Sequence, residues 1–206
     1  MLATQVPENV FAYIQKNAGI ILNDFDPVKG EVSRAAIKGA TNGGISFKDT
    51  LSLKDNGEDV DNMPAGMMEM IELEDHDVHC SGTFISVTAH TVRDLAAIAD
   101  ESESGGVKRI TPRQDIVISD FQKTMWLLWD YGNGGFIAIR LDNVLNTAGL
   151  SIQSTNKGKG QFAFDFKAHY SISAPDTVPY DIFVKEGSLE GAEGSTGEPH
   201  DDAPNT

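Results

Sequence analysis

The segment EDHDVHC, residues 74–80, combines the residue types that bind zinc in proteins. Imidazole, carboxylate and thiol groups are supplied there by His76, Asp77, His79 and Cys80. The surrounding residues favour a strand, on which His76 and His79 would point to opposite faces, with His76 about 13 Å from Cys80. We therefore expect two hydrogen-bonded or solvent-facing histidines and a small buried cysteine, and no metal site.

Two other segments suggest an ion or phosphate site at first sight. The acid run DNGEDVDN, residues 55–62, lacks the framework of an EF-hand calcium loop, so it predicts a solvated loop or an interface. In NKGKGQF, Lys159 is followed by Gly160 and a strand, whereas a phosphate loop needs Ser or Thr after the lysine and then a helix. The glycines favour a β-hairpin turn instead.

No catalytic motif is evident in the sequence. No serine lies in a G-x-S-x-G elbow, and no motif marks Cys80 as a nucleophile. Trp126 and Trp129 could stack a ligand, although core packing is the commoner use of tryptophan on a strand. These observations predict a protein that is not an enzyme and that uses no cofactor or metal.

The composition excludes several classes of protein. The 206 residues carry a formal charge of −15, whereas a nucleic-acid-binding face must be basic. The single Cys80 excludes an intrachain disulfide and suggests a reducing cytosol. The N-terminus lacks the cationic start and apolar core of a signal peptide, and no apolar run is long enough to span a membrane.

Short strand-like segments dominate the pattern, and the clearest is QFAFDFKAHYS. The core face of this strand is predicted to contain Phe162, Phe164, Phe166, Ala168 and Tyr170. The opposite, polar face is predicted to contain Gln161, Asp165, Lys167 and His169. Residues 120–142 and 149–171 are each predicted to form a hairpin, the first joined at GNGG and the second at TNKGKG.

The remaining elements define one domain with appendages. HTVRDLAAIAD predicts one amphipathic helix over about residues 91–100, with Thr91 as the N-cap. Residues 39–70 include a candidate strand, GISFKDTLSLK, but are rich in Gly and Asp and are predicted to form a long projecting loop. Residues 1–185 are the predicted β domain, and residues 186–206 a disordered acidic tail.

Several segments together resemble the major tail proteins, which form the tail tube of long, non-contractile-tailed bacteriophages, especially those of Gram-positive hosts. The resemblance is carried by QKNAGIILNDFDPVKGEVS, GATNGGISFKDTLSLKDNGEDVDN, GFIAIRLDNVLNTAGLSIQSTNKGKGQFAFDFKAHYS and DTVPYDIFVK, which span about residues 15–185. It implies a tail tube fold, with two packed antiparallel β-sheets and a flanking helix.

The resemblance also implies a function in assembly. Subunits of this family close into hexameric rings, and the rings stack into a tube that conducts double-stranded DNA without binding it specifically. The implied partners are other copies of the chain and the tape measure, tail-tip and tail-terminator proteins. The implied location is the virion tail, after synthesis in the host cytoplasm.

Two sets of residues are expected to serve this assembly. Contacts between subunits or rings are expected at Asp49, Lys54, Asp55, Glu58, Asp59, Asp61, Lys157 and Lys159. Gln161 and Asp165 are expected to face either the lumen or the exterior. The alternatives are a tube subunit of a tailocin or secretion-type device, a soluble β-sandwich that binds a carbohydrate or calcium, and, least favoured, a hydrolase that uses His76 or His79.

Overall fold

The computed structural model describes residues 10–154 and 156–187. The strands are β1 (Ile20–Leu22), β2 (Gly39–Asp55), β3 (Ile71–Val87), β4 (Ala99–Ser104), β5 (Val107–Pro112), β6 (Gln122–Asp130), β7 (Phe136–Asn146), β8 (Ser151–Gln153), β9 (Gln161–Lys167) and β10 (Tyr180–Lys185). The α-helix is α1 (Ala89–Ala96), and short 3-10 turns lie at Val10–Ala12, Arg34–Ala36, Met68–Met70 and Ile118–Asp120.

Strand β7 connects the two layers of the fold. Most of its length pairs with β6 on one side and β10 on the other, and its end pairs with β9 through Leu145 and Asn146. The strand order is β1-β6-β7-β9-β3-β2, with β8 also beside β9, while β4 and β5 form a separate two-stranded sheet. The described part of the chain is thus mainly β, with antiparallel sheets and one helix, as predicted.

The main core lies between the two layers. From β1, β6 and β7 it takes Ile21, Met125, Leu127, Trp129, Ile139, Leu141 and Val144, and from β3 and β9 it takes Val78, Cys80, Phe84, Phe164 and Phe166. Phe84 and Phe166 are fully buried. Burial of each such side chain stabilises the fold by about 1.5–3 kcal/mol, so this core holds the layers together.

A second apolar cluster covers the outer face of β6 and β7. Phe25, from the segment between β1 and β2, packs edge to face against Trp126 and Phe136. Trp126 and Trp129 are three residues apart on β6 and therefore lie on opposite faces, and both are buried. Both tryptophans therefore pack in the core, and β6 is covered on both faces.

Glycine allows two local departures from regular strand geometry. Gly43 and Gly44 both have positive φ and lie in an irregularity of β2, between the pairs Thr41–Phe84 and Ile45–Gly82. Gly82 lies directly opposite Phe164, whose ring would be 2.8 Å from a Cβ at that position. A larger residue there would displace the phenylalanine ring from the core.

The helix begins earlier and ends earlier than predicted. Helix α1 spans Ala89–Ala96, and its N-cap is Thr88, whose hydroxyl accepts a hydrogen bond from the amide of Thr91 at 3.2 Å. The Thr91 hydroxyl instead donates to the carbonyl of Lys38. The helix ends at Ala97, which has φ of 60°, and residue 99 already begins strand β4.

The structure corrects the predicted loop over residues 39–70. Residues 39–55 form strand β2, which pairs with β3 along its length. The segment is therefore the first strand of a long hairpin. The predicted hairpins at 120–142 and 149–171 are confirmed by the pairs β6–β7 and β8–β9. The predicted disorder of the acidic tail concerns residues that, after Gly187, lie outside the described part of the chain.

Candidate functional site

The outer half of the β2–β3 hairpin extends beyond the rest of the sheet. Strand β9 pairs with β3 from His79 to Phe84, so further out the strands β2 and β3 pair with each other alone. We call residues 50–75 the arm and residues 56–67 the arm tip. The strand from Asp49 to Asp55 spans about 20 Å at 3.3 Å per residue. The arm is therefore a two-stranded ribbon with which no third strand of the described chain pairs.

One face of the arm is apolar and uncovered. Leu53 lies directly opposite Leu73 in the hairpin, and Leu51 and Ile71 lie on the same face two residues away. Leu51 and Leu53 are 51% and 57% exposed. The same face of β2 carries Phe47 in the body, where it packs against the main core. The arm thus continues the core-forming face of the sheet into solvent.

The base of the arm is tied to β10 through Asp49. One carboxylate oxygen of Asp49 accepts a hydrogen bond from the Tyr180 hydroxyl at 2.9 Å and lies 2.7 Å from Nδ1 of His76. Burial and this contact with Asp49 raise the pKa of Tyr180. Phe47 packs edge to face on the Tyr180 ring. Asp49 is therefore hydrogen-bonded within its own chain, while its expected contact with another subunit stays a prediction.

The arm tip is shaped by Asp55. Its two carboxylate oxygens accept hydrogen bonds from the amides of Gly57, at 2.8 Å, and Gly66, at 2.7 Å. Asp55 is half-buried and its carboxylate is bound within the turn, while its expected contact with another subunit stays a prediction. The other acids of the tip, Glu58, Asp59 and Asp61, are exposed, as is Lys54 nearby on β2.

The face of β2, β3 and β9 opposite to the core is polar. Its charged members include four acids and three lysines, namely Glu72, Asp75, Asp77, Asp165, Lys48, Lys54 and Lys167. Several are paired with each other around His79. Nδ1 of His79 lies 2.9 Å from Asp165 and Nε2 lies 3.1 Å from Asp77, and both nitrogens can donate only in the imidazolium form.

Lys167 extends this cluster on the polar face. Its ammonium group donates to Asp77, and this hydrogen bond lowers the pKa of the Asp77 carboxyl.

Asp165 lies on the face opposite the core, as the alternation predicts, and Gln161 is exposed on the same face. Asp77, Asp165 and Lys167 are thus paired around His79, whereas the other four charged residues of the polar face are in none of the ion pairs between described residues.

The predicted core face of β9 is confirmed for most of its residues. Phe164 and Phe166 are buried, Phe162 is partly buried and packs against the main core, and Ala168 is buried. Tyr170 departs from the prediction because it lies beyond the end of β9, and it is 38% exposed. Its hydroxyl accepts a hydrogen bond from the amide of His76.

The residues of EDHDVHC do not converge on one point. His76 and His79 lie on opposite faces of β3 and each is hydrogen-bonded to a carboxylate, as expected. Cys80 is fully buried, and burial raises the pKa of its thiol to about 12, which keeps it protonated at neutral pH. Within residues 10–154 and 156–187, no group of three or more His, Cys, Asp or Glu could hold a metal ion.

The β8–β9 turn carries the two remaining predicted contacts. Lys157 and Lys159 are both exposed, and Lys157 adopts a left-handed conformation with φ of 62°. The hairpin places these lysines beyond Gln161, at the end of β9 that lies opposite the end of β3 near Phe84. They lie at the end of the sheet opposite the arm.

Sequence reasoning missed the apolar face of the arm. A signal was present, since ISFKDTLSLK and IELED alternate apolar and polar residues as strands with one covered face do. The pattern alone predicts burial of Leu51, Leu53 and Leu73, whereas the structure leaves them uncovered in the protomer.

Comparison with known proteins adds no family assignment. No family model and no curated protein matches this chain. Among the described helices, none is long and apolar enough to cross a membrane.

Proposed function

We propose that this chain is the self-assembling subunit of a phage tail tube. In this function, copies close into hexameric rings, the rings stack, and the resulting tube conducts double-stranded DNA during ejection. The protein is then a structural component of the virion tail and not an enzyme, and it needs no cofactor. Its further partners are the tape measure, tail-tip and tail-terminator proteins. The proposal rests on the resemblance of residues 15–185 and on the arm.

The uncovered apolar face of the arm is the observation that carries the proposal. Leu51, Leu53, Ile71 and Leu73 extend the core-forming face beyond the layer that covers it. Contiguous exposed apolar surface of this kind marks protein–protein contacts. Covering each half-exposed leucine contributes on the order of 1 kcal/mol, and a ring repeats that contribution in every subunit. We expect a second copy of the chain to cover this face, because the proposed tube consists of many copies of the chain.

The strand edges support closure into a ring. In the core layer with the arm, β2 is one edge, and β8, a strand of three residues, forms part of the other. Unpaired strand edges invite pairing with another chain, and a ring in which each edge meets its neighbour removes them. Two different edges on one subunit form a heterologous contact, which closes into a ring when the rotation permits.

The polar face is the surface that we assign to the lumen. It contains Gln161 and Asp165, its acids outnumber its lysines by four to three, and Lys167 is paired with Asp77 in the cluster around His79. A face without unpaired clusters of lysine offers DNA little opportunity to release counterions, so DNA would slide past it. The overall charge of −15 also weakens the binding of DNA, because like charges repel.

Electron microscopy of the concentrated protein tests the proposal. We expect rings or tubes with a central hole, and size-exclusion chromatography with light scattering should show a concentration-dependent assembly. Leu53→Asp should leave a folded protomer and abolish the assemblies. Val28→Asp is the matched control, because Val28 is also exposed but lies on a turn before β2, away from the arm. A protein that remains monomeric at every concentration and ionic strength would contradict the proposal.

A further inference from the structure

The arm tip and the β8–β9 turn lie at opposite ends of the same sheet. The tip precedes Ile71 at the start of β3, whereas Phe162, just after the turn, pairs with Phe84 near the end of β3. The thirteen residue steps from Ile71 to Phe84 span about 40 Å along the strand. These two ends cannot meet within one chain.

The two ends carry opposite charges. Residues 55–70 contain five acids and no lysine or arginine, and residues 149–160 contain two lysines and no acid. Asp55 is bound to the amides of Gly57 and Gly66, which leaves Glu58, Asp59 and Asp61 exposed at the tip. Lys157 and Lys159 are exposed at the turn.

Within the described part of the chain, these charges have no ion-pair partner. Of the ion pairs that join described residues, none includes Glu58, Asp59, Asp61, Lys157 or Lys159. The body instead pairs most of its charges locally, as Glu101 does with Lys108 on the β4–β5 hairpin. Other exposed charges, such as Lys48 and Lys123, are also outside these ion pairs, but the unpaired charges of the arm tip are all acidic and those of the β8–β9 turn are all basic.

Exposed apolar residues accompany the charges at both ends. Met68 lies beside the arm tip and is 82% exposed, and Leu53 and Leu73 follow on the arm. At the other end, Leu150 and Ile152 of the β8–β9 hairpin are 44% and 58% exposed. An apolar centre with a charged rim is the usual composition of a protein–protein interface.

From this arrangement we propose, resting on the tube function above, that rings stack head to tail through these two ends. The arm tip of one copy binds the β8–β9 hairpin of a copy in the next ring, with Glu58, Asp59 and Asp61 facing Lys157 and Lys159. A two-fold contact between identical ends would bring like charges together, which disfavours it. A heterologous contact between opposite ends repeats along an axis and gives the tube one polarity.

Charge reversal at each end tests this contact. The triple variant E58K/D59K/D61K reverses the tip, and K157E/K159E reverses the turn. Each variant alone should raise the concentration needed for tube formation at least tenfold, because the facing charges then repel. A chain with all five substitutions should form tubes again near the wild-type concentration, because its ends are again complementary.

The control keeps the change in net charge and moves it elsewhere. K16E/K123E changes the net charge by the same amount as K157E/K159E. It does so at exposed lysines outside both ends, and this variant should assemble as the wild type does. Circular dichroism and thermal unfolding establish that every variant is folded. Electron microscopy and sedimentation measure tube formation at fixed ionic strength.

The outcomes separate this inference from the proposed function. If the wild type forms tubes and the reversed variants form them equally well, stacking does not use these ends and the inference is overturned. If the five-substitution chain stays folded but does not recover, the two ends do not face each other, which also overturns it. If the wild type forms no rings or tubes at all, the proposed function itself fails.

Discussion

Lys38 connects three elements of the fold. It is 2% exposed, and its ammonium group donates to Asp94 of α1 at 2.6 Å. Its amide donates to the carbonyl of Ile21 on β1, and its carbonyl accepts from the hydroxyl of Thr91. Burial lowers the pKa of Lys38 and Asp94 opposes that effect. This one residue therefore holds the helix, β1 and the entry to β2 together.

Replacement of Lys38 by methionine should destabilise the protomer strongly. It leaves the Asp94 carboxylate buried without its partner, which costs about 3 kcal/mol of unfolding free energy. Lys38→Met combined with Asp94→Leu should recover most of that loss. Lys29→Met is the control, since Lys29 and Asp26 form an exposed pair at 3.5 Å and should matter by less than about 0.5 kcal/mol. Urea unfolding below the assembly concentration measures all four proteins.

A result in which Lys38→Met is as stable as the wild type would show that the buried ion pair offers no net stability over an isolated buried acid. A double variant no better than the single one would show that the carboxylate is not the source of the loss.

His169 should make the protomer sensitive to mild acid. Burial lowers the pKa of His169 below its usual value of 6.5, while its Nδ1 donates to the carbonyl of Asn143 at 3.1 Å and its ring packs on Phe121. The unfolded chain therefore takes up a proton near pH 6.5 that the folded chain takes up only at lower pH. Stability is accordingly lost as pH falls through 6.5 towards the folded pKa.

The measurement is urea unfolding at intervals from pH 7.5 to pH 5. His169→Gln keeps a donor for the Asn143 carbonyl and removes the titrating group, so its stability should fall less over that range. Carboxylates with lowered pKa, such as Asp77, lose their contribution at lower pH and should not affect the difference. Parallel curves for the wild type and the variant would contradict the assignment to His169.

At the scale of elements, β6 and the arm show that the layers packed against a strand determine whether its apolar residues are buried or exposed. β6 has Trp129 in the main core and Trp126 under Phe25, so both of its faces are covered. Residues 125–129 of β6 are all apolar, whereas the arm alternates apolar and polar residues and leaves its apolar face half-exposed. Local propensity therefore forms both elements, while their surroundings differ.

Shortening the arm should separate folding from assembly. Ser52 lies directly opposite Asp75, so replacement of residues 53–74 by Asn-Gly closes the hairpin with a two-residue turn. The shortened protomer should change in unfolding free energy by no more than about 1 kcal/mol, because the removed part of the sheet pairs only with itself and its leucines are half-exposed. Size-exclusion chromatography should show that it no longer assembles.

A melting temperature that falls by more than about 4 °C would show that the arm stabilises the body. Continued tube formation by the shortened chain would show that the arm is dispensable for assembly.

At the scale of the whole molecule, the tube that we propose uses both the charge and the exposed apolar surface of the chain. A formal charge of −15 makes copies repel at a distance, so that contact requires local complementarity. The opposite signs at the arm tip and the β8–β9 turn supply such complementarity along one direction. In the same proposal, the strand edges of β2 and β8 make the contacts within a ring. A tube of stacked rings requires contacts in both directions.

The sequence predicted the hairpins and misjudged the arm. Alternation over Phe162, Phe164 and Phe166 identified β9 because one face of that strand meets a core. The glycines at 43 and 44 suggested a loop, yet they form an irregularity inside β2, and pairing with β3 overrides their weak strand propensity. The helix boundary shifted because the Thr91 hydroxyl binds Lys38, a contact distant in sequence.

The sequence by itself determined the β-rich class, the turns and which residues share a face, because those properties follow from backbone geometry and from neighbours within a few residues. The tertiary structure alone decided which apolar faces are covered, as for Trp126, and which remain open, as for Leu53. It also decided that Asp49 and Asp55 serve their own chain while the charges of Glu58 and Lys157 stay unpaired. These outcomes depend on contacts between residues far apart in sequence, which local patterns do not encode.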